Sequence, residues 1–529
     1  MISTITPYRS QRRQGSDGFG ALVRSEWTKF RTVPAWTMTM ILAMAGALGF
    51  CLFLSSNGVN CGGGPVKTSC HGQAPPSGPG GESVNDSYYL VHQNLGPTGS
   101  ITAEITSLTN APPGSPGTDI GFNAPRLSTI QPWAKAGIII TASTKQGSPY
   151  AAMMVTASHG VRMQYDYTHD VAGPAASVSA ASPEWLRLTR SGATVTGYAS
   201  ADGTDWTKVG TTNLRGLPRT GLTGMFVASP DGAEAHQAGV TTEAIGTFDH
   251  VSVENSETDG TWRGIEVGSG PRPGQRMFFE PGQVPRSGQF SELGGSFSVT
   301  GSGDIGPYLP PDDALGNSLI GMVIALIVVI TVVALYITSE YRRGLIRTTL
   351  SASPRRGRVL AAKVIVSALV AFAVGLVAAA IAVPVAEHVL RAHSYSPPWW
   401  LTGTGLMSAM GLRIVLGTGA LFALAAVLAI AVGTIARRSA AAVSAAFVLV
   451  VLPIVLMFTL PEGAAQWVQK YTPAAALSIQ SSIPHYQQLA CYASKGCFPL
   501  SPWAGLGVFA LYAAVASILA WVLLRRRDA

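Results

Sequence analysis

Six stretches of the chain are almost free of charge over twenty or so positions: residues 35–54, 319–338, 364–383, 412–432, 440–460 and 503–524. At about 1.5 Å per residue, a helix of that length covers a hydrocarbon layer of roughly 30 Å. The pattern therefore predicts six membrane spans. A signal peptide is the competing reading of residues 35–54, but the apolar run exceeds the usual core of about 7–15 residues and follows a long flank. A retained span is the better fit.

Between the first two spans the period shortens to two. Ile101, Ala103 and Ile105 alternate with Thr102, Glu104 and Thr106, and Val161, Met163, Tyr165 and Tyr167 alternate with Arg162, Gln164, Asp166 and Thr168. This is the period of half-buried strands. Turn residues recur at Ser158-His159-Gly160, Arg190-Ser191-Gly192 and Ala201-Asp202-Gly203, a spacing that suits an antiparallel sandwich. Gly/Pro-rich linkers over 55–84 and 256–318 border a sandwich over 85–255, and Phe297 to Ile305 is a possible further edge strand. Ahead of the first span, Val23, Trp27, Phe30 and Pro34 recur at helical spacing with Arg24, Thr28 and Arg31 elsewhere. An amphipathic helix over 21–34, lying in the headgroup region, follows. Residues 1–20 are polar and read as a disordered tail. The predicted fold is a membrane α-helical bundle of six transmembrane helices with an extracellular all-β sandwich inserted between the first and second.

Charge sets the orientation. Only 12% of residues are charged and the mean hydropathy is +0.29. From Cys61 to Ser318 there are 14 basic against 22 acidic residues, a net of −8, whereas the remainder has 22 against 6, a net of +16. That is a membrane-protein asymmetry and not a nucleic-acid footprint, so no nucleic-acid partner is expected. Six spans put both termini on one side, whose short segments carry 18 Lys/Arg, including the segment 339–363 and the tail 525–529. The opposite short loops carry Arg391, Lys470, Lys495 and arguably Arg413. Both termini are thus expected in the cytoplasm of a multi-pass plasma-membrane protein, with the insert and the loop 461–502 outside. Cys61 with Cys70, and Cys491 with Cys497, then fall on the oxidising side as two close pairs, read as two small disulfides or as four free thiols. Cys51 stands alone in an apolar run.

The stretch Ser339 to Lys363 carries Glu340, Gly344, then Leu345-Ile346-Arg347-Thr348-Thr349-Leu350 and a Ser353-Pro354-Arg355-Arg356 stop. It resembles the permease subunits of ABC-2 type transporters, especially the actinobacterial kind, in which a Glu-x-x-x-Gly pattern past the second span begins a short cytoplasmic helix that rests on the partner ATPase. Arg24 to Thr32 and the closing Arg525 to Ala529 resemble the same family, where the first is an elbow helix beside the ATPase. The resemblance implies an exporter whose permease pairs with a second permease subunit, identical or not, and with a separate ABC ATPase. It assigns ATPase coupling to Glu340, Arg343, Gly344, Arg347, Thr348, Trp27 and Lys29. Glu340 is expected to favour the N-terminal end of the short helix, and Gly344 to allow close approach of the ATPase. Ser200 to Gly210 resembles the hairpin of concanavalin-like and laminin-G-like sandwiches.

The chain has no Gly-Lys dipeptide, hence no phosphate-cradling P-loop. ATP and Mg are expected on the partner, with no cofactor in this chain. Nine histidines show no HExxH spacing, there is no Cys-x-x-Cys, and no metal site is expected. A retaining glycosidase needs two carboxylates about 5–5.5 Å apart, whereas Asp166 and Asp170 on one extended strand would lie roughly 13 Å apart. The chain is therefore not read as an enzyme. Tyr167, Trp185, Trp206 and Trp262 are either ligand-stacking aromatics of the insert or part of its core. Arg413 is expected to snorkel to the interface, Pro453 to kink or be tolerated by its span, and Trp399, Trp400 and Trp503 to join an aromatic belt. The exported substrate is not named by the sequence. An alternative reading is a membrane-anchored surface binding or sensing protein with a lectin-like ectodomain.

Overall fold

A computed structural model describes residues 18–57, 75–111, 129–234, 237–240, 242–256, 261–268, 288–308, 313–352, 355–392, 405–483, 486, 488–489 and 496–526. Cys61, Cys70, Cys491, Trp399 and Trp400, and most of the N-terminal tail, lie outside these residues. The helices run α1 (Phe19–Thr32), α2 (Pro34–Asn57), α3 (Ala314–Ser318), α4 (Met322–Arg342), α5 (Leu345–Ala352), α6 (Arg356–Ala392), α7 (Ala409–Ala436), α8 (Ser439–Thr459), α9 (Glu462–Tyr471) and α10 (Pro502–Arg526). Among the described residues, six helical segments are long and apolar enough to cross a membrane: Pro34–Ser56, Leu315–Arg342, Arg356–Ala392, Ala409–Ala436, Ser439–Thr459 and Pro502–Arg526.

The third of these departs most from the hydropathy reading. Pro384 lies inside α6 without ending it, and the basic stretch Arg356 to Lys363 is helical too. Its 37 residues span roughly 55 Å, well beyond a hydrocarbon layer of roughly 30 Å, so the helix projects from it. The most enclosed helix is α7, lined with small residues that let neighbours approach. A Cβ on Gly375 of α6 would stand 2.8 Å from Phe422 and 2.9 Å from the Thr418 carbonyl of α7, so glycine sets that spacing.

Apart from two separate strand pairs, thirteen strands of the insert form one continuous antiparallel sheet among the described residues, where a sandwich of two was expected. The reason is strand Tyr88–Asn110, 23 residues long, which serves both layers. Its first part pairs with Gly221–Ala228, and its second with Glu243–Ser256 and Glu184–Ser191. The changeover falls at Gly96-Pro97-Thr98-Gly99, opposite a register shift. Proline there removes a ladder donor, and a Cβ on Gly99 would sit 2.5 Å from the Glu254 carbonyl. Inward residues such as Val91, Ile101, Ile105, Ile138, Met153, Leu186 and Met225 fill the space between the layers.

Two readings of the insert need correction. Strands at Arg263–Val267, Gly288–Leu293, Ser296–Ser302 and Ile305–Pro307 fall in the region expected to be linker. Ser296–Ser302 lies between Glu243–Ser256 and Gly288–Leu293, so it is not an edge. Glycine and serine content concealed strands whose inward Phe297 and Val299 are buried. The alternation from Val161 also stops early: Asp166 and Tyr167 take left-handed φ of 43° and 61° and turn the chain into His169–Ala172. Asp170 returns opposite Gln164 and pairs with Arg162, so it does not continue the strand beyond Asp166.

The insert opens and closes on one pair of strands, Val84 opposite Pro307, which brings its two ends together over the bundle. Asp313 caps α3 through the Gly316 N–H at 2.7 Å and also accepts from the Ser482 N–H at 2.8 Å. Gln488 donates to the Thr168 carbonyl at 3.2 Å, linking the loop before α10 to the sheet. Arg413, expected to snorkel, is half-buried near the start of α7 and donates to the Ser481 carbonyl. A backbone carbonyl thus takes one of its N–H groups, while the side chain stays partly exposed.

Asp86 is sealed in the lower core, where it accepts from the Tyr167 hydroxyl at 2.6 Å and the Gly147 N–H at 2.8 Å. Its other oxygen has no hydrogen-bond partner among the described residues. Burial pushes its carboxyl up to about 6, against the lowering effect of those two bonds. A raised acid binds its proton more tightly folded than unfolded, so its contribution is complete below 3.8 and is lost as pH rises through about 6. Asp86→Asn is therefore expected to remove about 3 kcal/mol of pH dependence between those values, read as a flattened profile of protease resistance of the insert in the full chain.

Candidate functional site

Where α1 meets the bundle, two carboxylates and two ammonium groups come together. Lys363 of α6 donates to Glu26 at 2.8 Å and to Glu340 at 2.6 Å, and all three side chains are buried. Lys29 adds bonds to Glu26 at 2.8 Å and Glu340 at 3.4 Å. Tyr336 donates its hydroxyl to Glu26 and lies under the Lys363 ammonium, 5.2 Å from the ring centroid. Phe30, Trp36 and Tyr336 form an aromatic wall, with ring centroids 5.1 to 5.9 Å apart. The second oxygen of Glu340 has no hydrogen-bond partner among the described residues.

Helix geometry explains why these residues meet. Val23, Glu26 and Phe30 lie three and four positions apart, so Glu26 sits within the face of α1 that turns inward. Tyr336 and Glu340, four apart on α4, present their side chains to the same spot. Burial alone pushes the Glu26 carboxyl up, but the Lys363 charge and hydrogen bonds from Lys29, Lys363 and Tyr336 bring it below its ordinary value. Docking of α1 is accordingly retained above pH 4.5 and weakens as pH falls through the folded value. Burial lowers Lys29, yet Glu26 and Glu340 raise it overall.

Each residue singled out from sequence has a definite place. Glu340 is in the last turn of α4, five positions before α5, and so does not begin the short helix. Buried beside two lysines, it fixes helices to one another and presents no surface. Gly344, at φ 70°, ends α4, with its N–H on the Tyr341 carbonyl at 3.2 Å. That is the left-handed position glycine occupies most cheaply after a helix. Arg343, Leu345 and Thr348 are exposed around it, and Arg347 lies in α5. Trp27, placed on the apolar face by spacing, is 46% exposed, because the buried face is centred on Glu26 and Phe30. Lys29 belongs to the cluster.

In the insert, Tyr167 is buried and its hydroxyl is taken by Asp86, so it offers no face to a ligand. Trp262 packs edge-on against Phe297 at 5.7 Å. Trp185 and Trp206 are half-buried, and Arg187 stacks 4.0 Å over Trp206.

Sequence reasoning missed Glu26, Lys363 and Tyr336. The available signal was an acid on the apolar face of the first helix, together with a lysine adjoining the uncharged run that begins at Val364.

The model of the ABC-2 family transporter protein matches residues 166–529. The chain belongs to this family. The match takes in five of the six apolar segments and begins inside the sheet, which makes this a multi-pass membrane protein and an ABC-2 permease. No curated relative matches the sequence. Among solved structures, scytalido-glutamic peptidase with a transition state analog inhibitor is 8% identical with a TM-score of 0.25, covering 41% of this chain and 98% of its own. SCP-B, of the Eqolisin family of peptidases, is 9% identical with a TM-score of 0.24 over the same shares. The GH43 BlXynB protein from Bacillus licheniformis is 15% identical with a TM-score of 0.20, covering 30% and 28%. Values this low carry no functional argument for the permease.

Lys363→Met leaves Glu26 and Glu340 buried with Lys29 as their remaining cation. Removing one partner of a buried pair is expected to cost about 3–5 kcal/mol, while Glu26→Gln and Glu340→Gln added to Lys363→Met recover most of it. The check is the thermal midpoint of detergent-purified protein, together with protease cleavage at α1.

Proposed function

We propose that this chain is the transmembrane subunit of an ATP-driven ABC-2 exporter, powered by a separate ABC ATPase that supplies ATP and Mg chemistry. Two permease subunits, identical or not, pair in the bilayer. Both termini are cytoplasmic, and the β-rich insert is extracellular, where it caps or gates the exit. The basic ends support this orientation: Arg342, Arg343, Arg437, Arg438, Arg525 and Arg526 all lie at the helix ends near α1. Cys61–Cys70 and Cys491–Cys497 are the disulfide pairings proposed on that outer side.

The observation that carries the reading is the four-charge cluster. It joins α1, α4 and α6 at the end where Gly344 turns the chain into α5. A push from the ATPase on α5 or α1 is then passed to two spans at once, because the ion pairs leave little slack between them. Glu340 and Lys363 act as positioning residues, while Trp27, Arg343, Arg347 and Thr348 supply the surface.

Leu345→Asp with Thr348→Trp changes the exposed face of α5. Pull-down with a co-expressed ABC ATPase subunit is expected to lose the ATPase at unchanged membrane levels of the permease. Undiminished association would overturn the assignment of α5, and labelling of a Thr348→Cys variant from outside intact cells would overturn the orientation.

A further inference from the structure

Beside the four-charge cluster lies an open cavity of about 680 Å³, lined by Tyr341, Arg342, Ile346, Arg437, Arg438 and Ser439, with Gly344 at one wall. Three of these residues are arginines and none is acidic. The neighbouring carboxylates, Glu340 and Glu26, are held by Lys363 and Lys29, so their charge is already balanced. The cavity is therefore a concentration of positive charge without an opposing acid in its walls.

The backbone fixes that charge in place. Arg437 ends α7 at a φ of 58°, and its guanidinium rests 5.5 Å over the Tyr341 ring. Arg438 is the N-cap of α8 and its side chain makes no capping bond, so the N-terminal turn of a 21-residue helix opens beside Ser439. Guanidinium groups and helix N-termini both favour oxyanions, and the planar guanidinium fork matches phosphate. We propose that this cavity binds the phosphate of an anionic lipid headgroup.

Its position favours a lipid over free phosphate. Three apolar segments end around it, and α8 leads from it with Phe447 and Val448 exposed eight and nine residues on from Ser439. That is roughly 12–14 Å deeper along the helix, beyond the roughly 5–8 Å of one headgroup layer and so among the acyl chains when the headgroup lies at the cavity. Tyr341 and Ile346 add apolar wall next to the arginines. A headgroup there would bridge α4, α5, α7 and α8. The proposal needs this end of the bundle to lie at a membrane surface; it does not need an ATPase to dock there.

The test uses the purified full chain, stripped of lipid in detergent and titrated with dioleoyl phosphatidylglycerol or dioleoyl phosphatidylcholine, with bound lipid counted by native mass spectrometry. Phosphatidylglycerol is expected to bind in preference, and Arg342→Gln with Arg438→Gln to weaken it about 25-fold, about fivefold per charge removed, leaving phosphatidylcholine unchanged. Arg342→Lys with Arg438→Lys, which keeps the charge but not the planar fork, is expected to bind phosphatidylglycerol less tightly than the parent and more tightly than the Gln variant. Equal retention of the two lipids overturns the proposal, as does full retention by the Gln variant. Inorganic phosphate that displaces phosphatidylglycerol at equal concentration would assign the cavity to a free anion and overturn the lipid. A Gln variant that loses an added ABC ATPase subunit but not the lipid would assign these arginines to a protein contact, again overturning it.

Discussion

Lys363 lies 2.8 Å from Glu26 and 2.6 Å from Glu340, with its ammonium shut away from solvent. Stripping water from such a group costs several kcal/mol, and the carboxylates on α1 and α4, with the Tyr336 ring beneath it, offset that cost. Separation of α1 from the bundle would leave Lys363 with Glu340 as its one carboxylate partner and take Lys29 away from Glu340. The cluster therefore makes three elements move together, and it does so where the chain turns at Gly344 into the exposed helix α5. Apolar contacts alone would tolerate sliding, since lipid and leucine are equally apolar.

The span Leu315–Arg342 connects this cluster with the other end of the molecule. Glu340 is held near one end, and Asp313 caps the other while bonding to Ser482. Its 28 residues cover roughly 42 Å, so one rod is tied by a carboxylate near each end. Beyond Asp313, the Val84–Pro307 strand pair closes the insert, and Gln488 bonds the loop before α10 to the turn at Thr168. The charged end and the end that faces the insert are thus the two ends of one helical segment, each held by hydrogen bonds or ion pairs to a carboxylate.

Much of this arrangement was legible in the order of residues. Uncharged runs, basic flanks and the two-residue alternation at Ile101 to Ile105 each reflect a local physical demand: hydrocarbon length, an interface, a pleat with one wet face. The Glu340 to Gly344 motif was equally visible, since a glycine after a helix is a local need. Glu340 itself was misplaced, because a carboxylate before a glycine reads as solvent-exposed until its partners are known. Lys363 lies 23 residues beyond Glu340 and 337 beyond Glu26, and no periodicity connects positions so far apart. Trp27 shows the same limit: helical spacing defines a face, while the partner decides whether its centre or its edge is buried.

By itself, then, the sequence determined what each segment must do locally, namely which stretches enter lipid, which alternate as strands, and where the chain turns, because those requirements are set within a few neighbouring residues. Only the tertiary structure decided which charges are neutralised inside and which stay available, how a 23-residue strand joins two layers into one sheet, and that Arg342 at the end of α4 shares a cavity with Arg437 and Arg438 between α7 and α8. Desolvation is the reason: the energy of a charge depends on what surrounds it in space, and those surroundings exist only once distant segments have packed.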